Sequence, residues 1–205
     1  CRAAAKFVNV VPECIVPGNG SSELIRLMAE ACLEEGKLAL VPTPSFGEYT
    51  NQSLLAGASV EKIEIGEDGL PELDQALLES ADLLFLCNPN NPTGRLLSAD
   101  QVTDMADRCE RAETFLLVDE AFIELSGPEE SVSALAPERE YLFVMRSLTK
   151  SFGVPGLRLV NADGVADVLH DVPHRCAPPV LGARAAGRGP RRQPDHHRED
   201  AELPL

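Results

Sequence analysis

Apolar residues recur at helical spacing just after the first polar turns of the chain. Leu24, Ile25, Met28, Ala31 and Cys32 fall on one face between Ser21 and Glu35, and Gly36 ends the pattern. Beyond it the period shortens. Residues 37–42 (KLALVP) and 60–65 read as strands, with a helix possible over 45–56 between them. A helix is predicted over 71–79, opened by Pro71 at a first-turn position and carrying Leu73, Leu77 and Leu78. Residues 82–87 (DLLFLC) are almost wholly apolar, as a strand buried on both faces must be. Ser98 and Gln101 have capping-box spacing, and Val102, Met105, Ala106 and Cys109 form the helical stripe behind them. Two more apolar strands follow, TFLLV at 114–118 and YLFVM at 141–145. Apolar strands alternating with amphipathic helices predict an α/β protein, a three-layer sandwich with a mostly parallel sheet.

Residues 171–205 break this pattern. They hold six of the 16 prolines and three of the four histidines, and show no sustained period. The charge changes as well. Residues 1–170 carry 12 Lys/Arg against 28 Asp/Glu, whereas 171–205 carry six against five. A net charge of -15 argues against nucleic acid or an anionic membrane as partner. No apolar run reaches the ~18–20 residues of a membrane span, and no leader-like segment opens the chain. The six cysteines have no short metal or redox spacing; Cys32, Cys87 and Cys109 read as core thiols, which predicts a reduced, cytoplasmic setting. No metal is expected: His170 and His174 have ligand spacing, but Pro173 interrupts the helix they would need.

In open α/β sheets, ligands bind beyond the carboxyl ends of the strands. The polar and glycine-rich segments gather there: NPNNPTG (88–94) after DLLFLC, Asp119-Glu120-Ala121-Phe122 after TFLLV, and Ser147-Leu148-Thr149-Lys150 after YLFVM. A further turn, Gly18-Asn19-Gly20-Ser21-Ser22, precedes a helix, whose first N–H groups can receive an anion. Each segment alone would pass for an ordinary loop. Their order is the informative feature.

NPNNPTG, then VDEAF, then SLTKSFGVPGLR resembles the class I/II aminotransferase family, the fold type I enzymes that use pyridoxal phosphate. The most specific piece is Ser147, then Lys150, then Arg158 eight residues later. Within that family the likeness is greatest to threonine-phosphate decarboxylases of cobalamin synthesis and to histidinol-phosphate aminotransferases. Phe122 stands where many aminotransferases have a tyrosine. With DEAFIEL and RSLTK, it leans toward the decarboxylases. The alternatives are the histidinol-phosphate enzyme and an inactive fragment of either.

The resemblance implies a role for each candidate. Lys150 would hold the cofactor covalently through its amine and then serve as base; only four lysines occur in the chain. Asp119 would keep the ring nitrogen protonated, so that the ring withdraws electrons. Asn91 would donate to the ring's phenolic oxygen. Ser21, Ser22, Ser147 and Arg158 would hold the phosphate, Arg158 by a charge-assisted fork. Phe46, in PSFGEY at 44–49, would stack on the ring, with Tyr49 as the alternative stacker. The implied substrate is a small amino-acid or amino-phosphate compound, and the implied assembly a homodimer.

Family members run much longer than 205 residues. The expected organisation is therefore the central, incomplete part of the large domain at 1–165, followed by an aberrant tail at 166–205 with the small domain missing. A frameshift or deletion would produce such a tail. Reading the coding DNA in the other two frames tests this, and finding no family-like continuation in either would overturn it.

Overall fold

The computed structural model describes residues 2–147 and the strand at 158–161. Helix α1 (Arg2–Val8) and a 3-10 turn (Pro12–Cys14) lead into β1 (Ile15–Gly18). Four strand–helix alternations follow: α2 (Ser21–Cys32), β2 (Leu38–Thr43), α3 (Glu48–Leu55), β3 (Ser59–Glu64), α4 (Gln75–Ser80), β4 (Leu83–Cys87), α5 (Ala99–Ala112) and β5 (Phe115–Glu120). A short helix α6 (Ile123–Ser126) and two 3-10 turns then precede β6 (Leu142–Ser147) and β7 (Arg158–Asn161).

The strands form one sheet in the order β1-β7-β6-β5-β4-β2-β3. Five of them, β3, β2, β4, β5 and β6, run parallel. β7 runs antiparallel to both of its neighbours, β6 and β1.

Period-two alternation decides the layers. Leu83, Phe85 and Cys87 of β4 pack on one face with Leu117, Phe143 and Met145 against α2 and α3. Leu84 and Leu86 pack on the other with Leu116, Val118, Leu142 and Val144 against α4 and α5. All five residues of β4 are buried, which explains why that strand shows no polar positions. The predicted three-layer α/β sandwich is the observed architecture.

Two differences from the pattern reading have local causes. The helix expected over 71–79 begins only at Gln75, because Asp74 is its cap and accepts from the Leu77 N–H at 2.8 Å. The residues before it stay extended, with Pro71 bridged to Ile65 and the Glu72 N–H bonded to the Glu64 carbonyl. β1, IVPG, carries no strand pattern: it is four residues long and contains Pro17 and Gly18, which strands avoid. Its position comes from pairing with β7.

The Ser98/Gln101 capping box is present, with both reciprocal bonds at the start of α5. Ser98→Ala is expected to lower stability by about 1 kcal/mol, read by urea unfolding. Among the described residues, no helix is long and apolar enough to cross a membrane.

Candidate active site

The carboxyl ends of β4, β5 and β6 lie side by side, and their register places the candidate residues. Cys87 pairs with Asp119, and Asp119 with Met145. One residue beyond Met145 and Arg146, Ser147 pairs with Arg158, and Arg158 pairs with Gly18 on its other side. Gly18, Arg158 and Ser147, far apart in sequence, therefore share one row across β1, β7 and β6, with Ser21 and Ser22 three and four residues beyond Gly18 at the start of α2. Ser147 is buried.

The turn after β1 is built for close approach. A Cβ on Gly18 would lie 2.4 Å from Leu24 Cδ2, so a side chain there would force the buried Leu24 side chain to shift. Gly20 caps α2 with φ 128°, a conformation that favours glycine. Ser21 and Ser22 then open the 12-residue helix, Ser21 half-buried and Ser22 exposed. Glu23 sits in the same first turn and receives the Asn19 backbone N–H and, at 3.3 Å, its side-chain amide.

Asp119 is buried at the end of β5, 4% exposed. Its Oδ1 accepts the Ala121 N–H at 3.0 Å, and its Oδ2 accepts the Tyr49 hydroxyl at 2.7 Å. Tyr49 is itself buried and stacked on Phe85, with ring centroids 4.9 Å apart and planes at 18°. Burial above all, then the negative charge of Asp119 and contact with Cys87, holds the Tyr49 hydroxyl well above its usual value. Burial likewise pushes the Cys87 thiol up to about 12.

The loops are tied to one another. Asn90 donates to the Pro44 carbonyl at 3.0 Å, joining the turn after β4 to the turn after β2. Asn88 is fully buried and bonds both backbone groups of Leu97, which closes the 88–97 loop. Asn91 is half-buried beside them, and the Cys87 thiol donates to the Pro89 carbonyl at 3.3 Å. Phe46 is half-buried and meets Tyr49 edge-on at 5.7 Å and 83°. Tyr49 points into the core toward Asp119, and Phe46 lies nearer the surface. Lys150 lies outside the described residues, and Arg158 is placed by its backbone register alone.

Behind the site, on the α4/α5 face of the sheet, lies a buried ionic cluster that the sequence reading did not single out. Arg146 Nη1 is 3.5 Å from Glu120 Oε2, and Arg146 Nη2 pairs with Glu124. Glu120 also accepts the Ser131 hydroxyl at 2.6 Å and the Val132 N–H at 2.8 Å. Burial pushes the Glu120 carboxyl up and the Arg146 guanidinium down, and each charge opposes the shift of the other. The adjacent pairs Asp119-Glu120 and Arg146-Ser147 thus send one residue to the site and the other to this clamp. Strand alternation was the signal that could have shown it.

Two shallow surface hollows of about 440 Å³, one along residues 66–73 and one on α3, contain none of these residues. Among the described residues, no three of His, Cys, Asp and Glu are grouped to hold a metal. Cys14, Cys32, Cys87 and Cys109 are buried and not in disulfides among those residues.

A parallel sheet with an acidic strand end, an asparagine loop and a glycine–serine helix start defines a class, the large-domain fold of the pyridoxal-phosphate transferases. The chain belongs to the aminotransferase class I and II family, whose model matches residues 1–175. It is 34% identical over 175 residues to a histidinol-phosphate aminotransferase of Chlorobium phaeovibrioides, covering 83% of this chain and 48% of that protein. It is 35% identical over 172 residues to the threonine-phosphate decarboxylase of Salmonella typhimurium, covering 80% and 47%. The solved L-threonine-O-3-phosphate decarboxylase of Porphyromonas gingivalis superposes with TM-score 0.70 at 26% identity, over 82% of this chain and 52% of that one. The chain thus spans about half the length of the curated relatives it matches. Its homologues are pyridoxal-phosphate-dependent enzymes.

The tyrosine environment gives a test that needs no ligand. The chain has two tyrosines, Tyr49 and Tyr141. In a Tyr141→Phe chain, phenolate absorbance is expected to stay flat through the ordinary tyrosine range near pH ~10. It should rise only when the chain unfolds, because Tyr49 keeps its proton while folded. A rise in the folded protein would show that Tyr49 is not buried against Asp119.

Proposed function

We propose that this chain binds pyridoxal phosphate across the ends of β1, β7, β6 and β5. The observation that supports this best is the register bringing Gly18, Arg158 and Ser147 into one row with Asp119 close beside it. The donor set suits the group. Helix N–H groups, serine hydroxyls and a guanidinium suit a phosphate, and a buried carboxylate suits a protonated ring nitrogen.

When bound, pyridoxal phosphate supplies an electron sink for negative charge developing on the substrate carbon beside the amine. The chain does the rest. Ser21, Ser22, Ser147 and Arg158 anchor the phosphate. Asp119 holds the proton on the ring nitrogen. Asn91 donates to the phenolic oxygen, Phe46 covers the open ring face and excludes water, and Lys150 takes up and returns a proton at Nζ. These residues make up the central part of a large domain spanning 1–165, which in the intact protein works as a cytoplasmic homodimer.

For the substrate, an amino compound carrying a phosphate ester is inferred, with threonine phosphate decarboxylated. Phe122, half-buried just after Ala121, favours this reading because it lacks the hydroxyl a tyrosine would offer to the phenolic oxygen. The second reading is transamination of histidinol phosphate, favoured by the name of the Chlorobium relative. The test adds pyridoxal phosphate to the purified chain, reduces with borohydride and maps the adduct by mass. An adduct on Lys150 is expected. Labelling spread evenly over Lys6, Lys37 and Lys62 would overturn the reading and leave an inactive fragment. Incubating the labelling-competent chain with threonine phosphate and histidinol phosphate then separates carbon dioxide release from transamination.

A further inference from the structure

Tyr49 has more to do than fill the core. A buried phenol needs a hydrogen-bond partner, and any backbone carbonyl would have satisfied it. Its partner is instead the one carboxylate to which the cofactor site gives a chemical task, Asp119, at 2.7 Å. The phenol is rigidly held. Phe85 stacks on its face, Phe46 meets it edge-on, and Ser53 bonds its backbone carbonyl at 2.7 Å.

The two oxygens of Asp119 are thereby gripped by different elements. Ala121 on the strand end takes Oδ1 and Tyr49 on α3 takes Oδ2. A carboxylate with one donor can turn about its last side-chain bond; with two donors from separate elements its plane is set. Both donors are neutral, so they orient the negative charge without cancelling it. Phe46 and Tyr49 stand three residues apart at the start of α3, so one short segment reaches the front of the site and the carboxylate behind it.

We propose that Tyr49 is a positioning residue that fixes the Asp119 carboxylate in the orientation that holds the cofactor's ring nitrogen, so that cofactor affinity depends on the Tyr49–Asp119 bond. This rests on the pyridoxal-phosphate reading above.

The test is a double-mutant cycle on the full chain with pyridoxal phosphate as the probe, using Tyr49→Phe, Asp119→Asn and the pair. Tyr49→Phe keeps the ring and its packing on Phe85 and removes the hydroxyl. It is expected to raise the Kd for pyridoxal phosphate about tenfold, the effect of losing a hydrogen bond to a charged group. In the Asp119→Asn background the same change should alter Kd by less than about twofold, because the group it acts through is gone. Equal losses in both backgrounds would mean that the hydroxyl acts through packing, and would overturn the proposal. So would an unchanged Kd in Tyr49→Phe alone.

Should Tyr49→Phe fail to fold, a Tyr141→Phe chain labelled with 3-fluorotyrosine reports on Tyr49 directly. Its fluorine resonance is expected to move on saturation with pyridoxal phosphate, and to move less in the Asp119→Asn version; equal movement in both would overturn the proposal. The two readings fail differently. A wild-type chain that captures no cofactor on Lys150 overturns both. A chain that captures it normally, with Tyr49→Phe indistinguishable from wild type, overturns only the role of Tyr49.

Discussion

Lys150→Ala is expected to abolish borohydride-stable capture of pyridoxal phosphate while leaving the folded chain intact. The cofactor's aldehyde needs a nearby amine, and any of the four lysines could react with it at high concentration. None of the other three stands at the carboxyl ends of β4, β5 or β6. Lys6 is exposed on α1, Lys62 is exposed on the edge strand β3, and Lys37 pairs with Asp82 at 3.7 Å at the opposite, amino end of the sheet. Lys150 follows Ser147 by three residues, and Ser147 shares a row with Arg158 and Gly18, where we propose the phosphate is held. A phosphate held in that row raises the local concentration of aldehyde around that segment alone. Site-selective labelling in the wild type, lost in Lys150→Ala with an unchanged circular dichroism spectrum, is the expected result. Residual labelling at wild-type level in the variant would show that capture is non-specific.

The second large effect is on stability. Arg146→Met is expected to cost about 3–5 kcal/mol, the range for removing one partner of a buried ion pair. Single domains are stable by only about 5–15 kcal/mol. The side chains of Arg146 and Glu120 are 6% and 0% exposed, so water cannot take over the lost contact. Methionine keeps most of the apolar stem, which leaves the charge as the main change.

The pH dependence identifies the cause. Burial raises the Glu120 carboxyl above its ordinary value of 4.5, and Arg146 is the largest influence pulling it back. Without Arg146 the folded value rises further. Between 4.5 and that raised value, the folded state binds more protons than the unfolded state, so stability increases as pH falls. The deficit of Arg146→Met in urea unfolding should therefore be full at neutral pH and shrink toward pH 4.5. Adding Glu120→Gln should recover part of it at neutral pH. A deficit independent of pH would mean that packing of the arginine stem, and not its charge, stabilises this end of the sheet.

The two networks show how unevenly this protein could be read from its residues. Strands β4, β5 and β6 were legible because each is buried on both faces, so that LLFLC, FLLV and LFVM are apolar throughout. The α5 start was legible because a capping box is a local event, complete within Ser98 to Gln101. Asp119 and Ser147 were singled out by the family resemblance of VDEAF and SLTK, two segments at the ends of apolar strands, where ligands bind. Glu120 and Arg146 stand at the same ends, equally polar, and nothing in their neighbours says which residue of each pair turns to the site. Alternation along a strand separates them only once one residue has been assigned to a face.

The order of the sheet, β7 reversed between β1 and β6, was decided by tertiary pairing. β1 is too short and too rich in proline and glycine to carry a strand signal, and it becomes a strand because β7 provides its hydrogen-bond partner. The task of Tyr49 was decided in the same way. Its hydroxyl meets a carboxylate 70 positions away in the chain. The residue types, the periodicities and the strand-end motifs determined the α/β sandwich and where its chemistry gathers, since those depend on local propensity and burial. Which charge faces which partner depended on contacts between distant segments, and only the packed sheet brings those together.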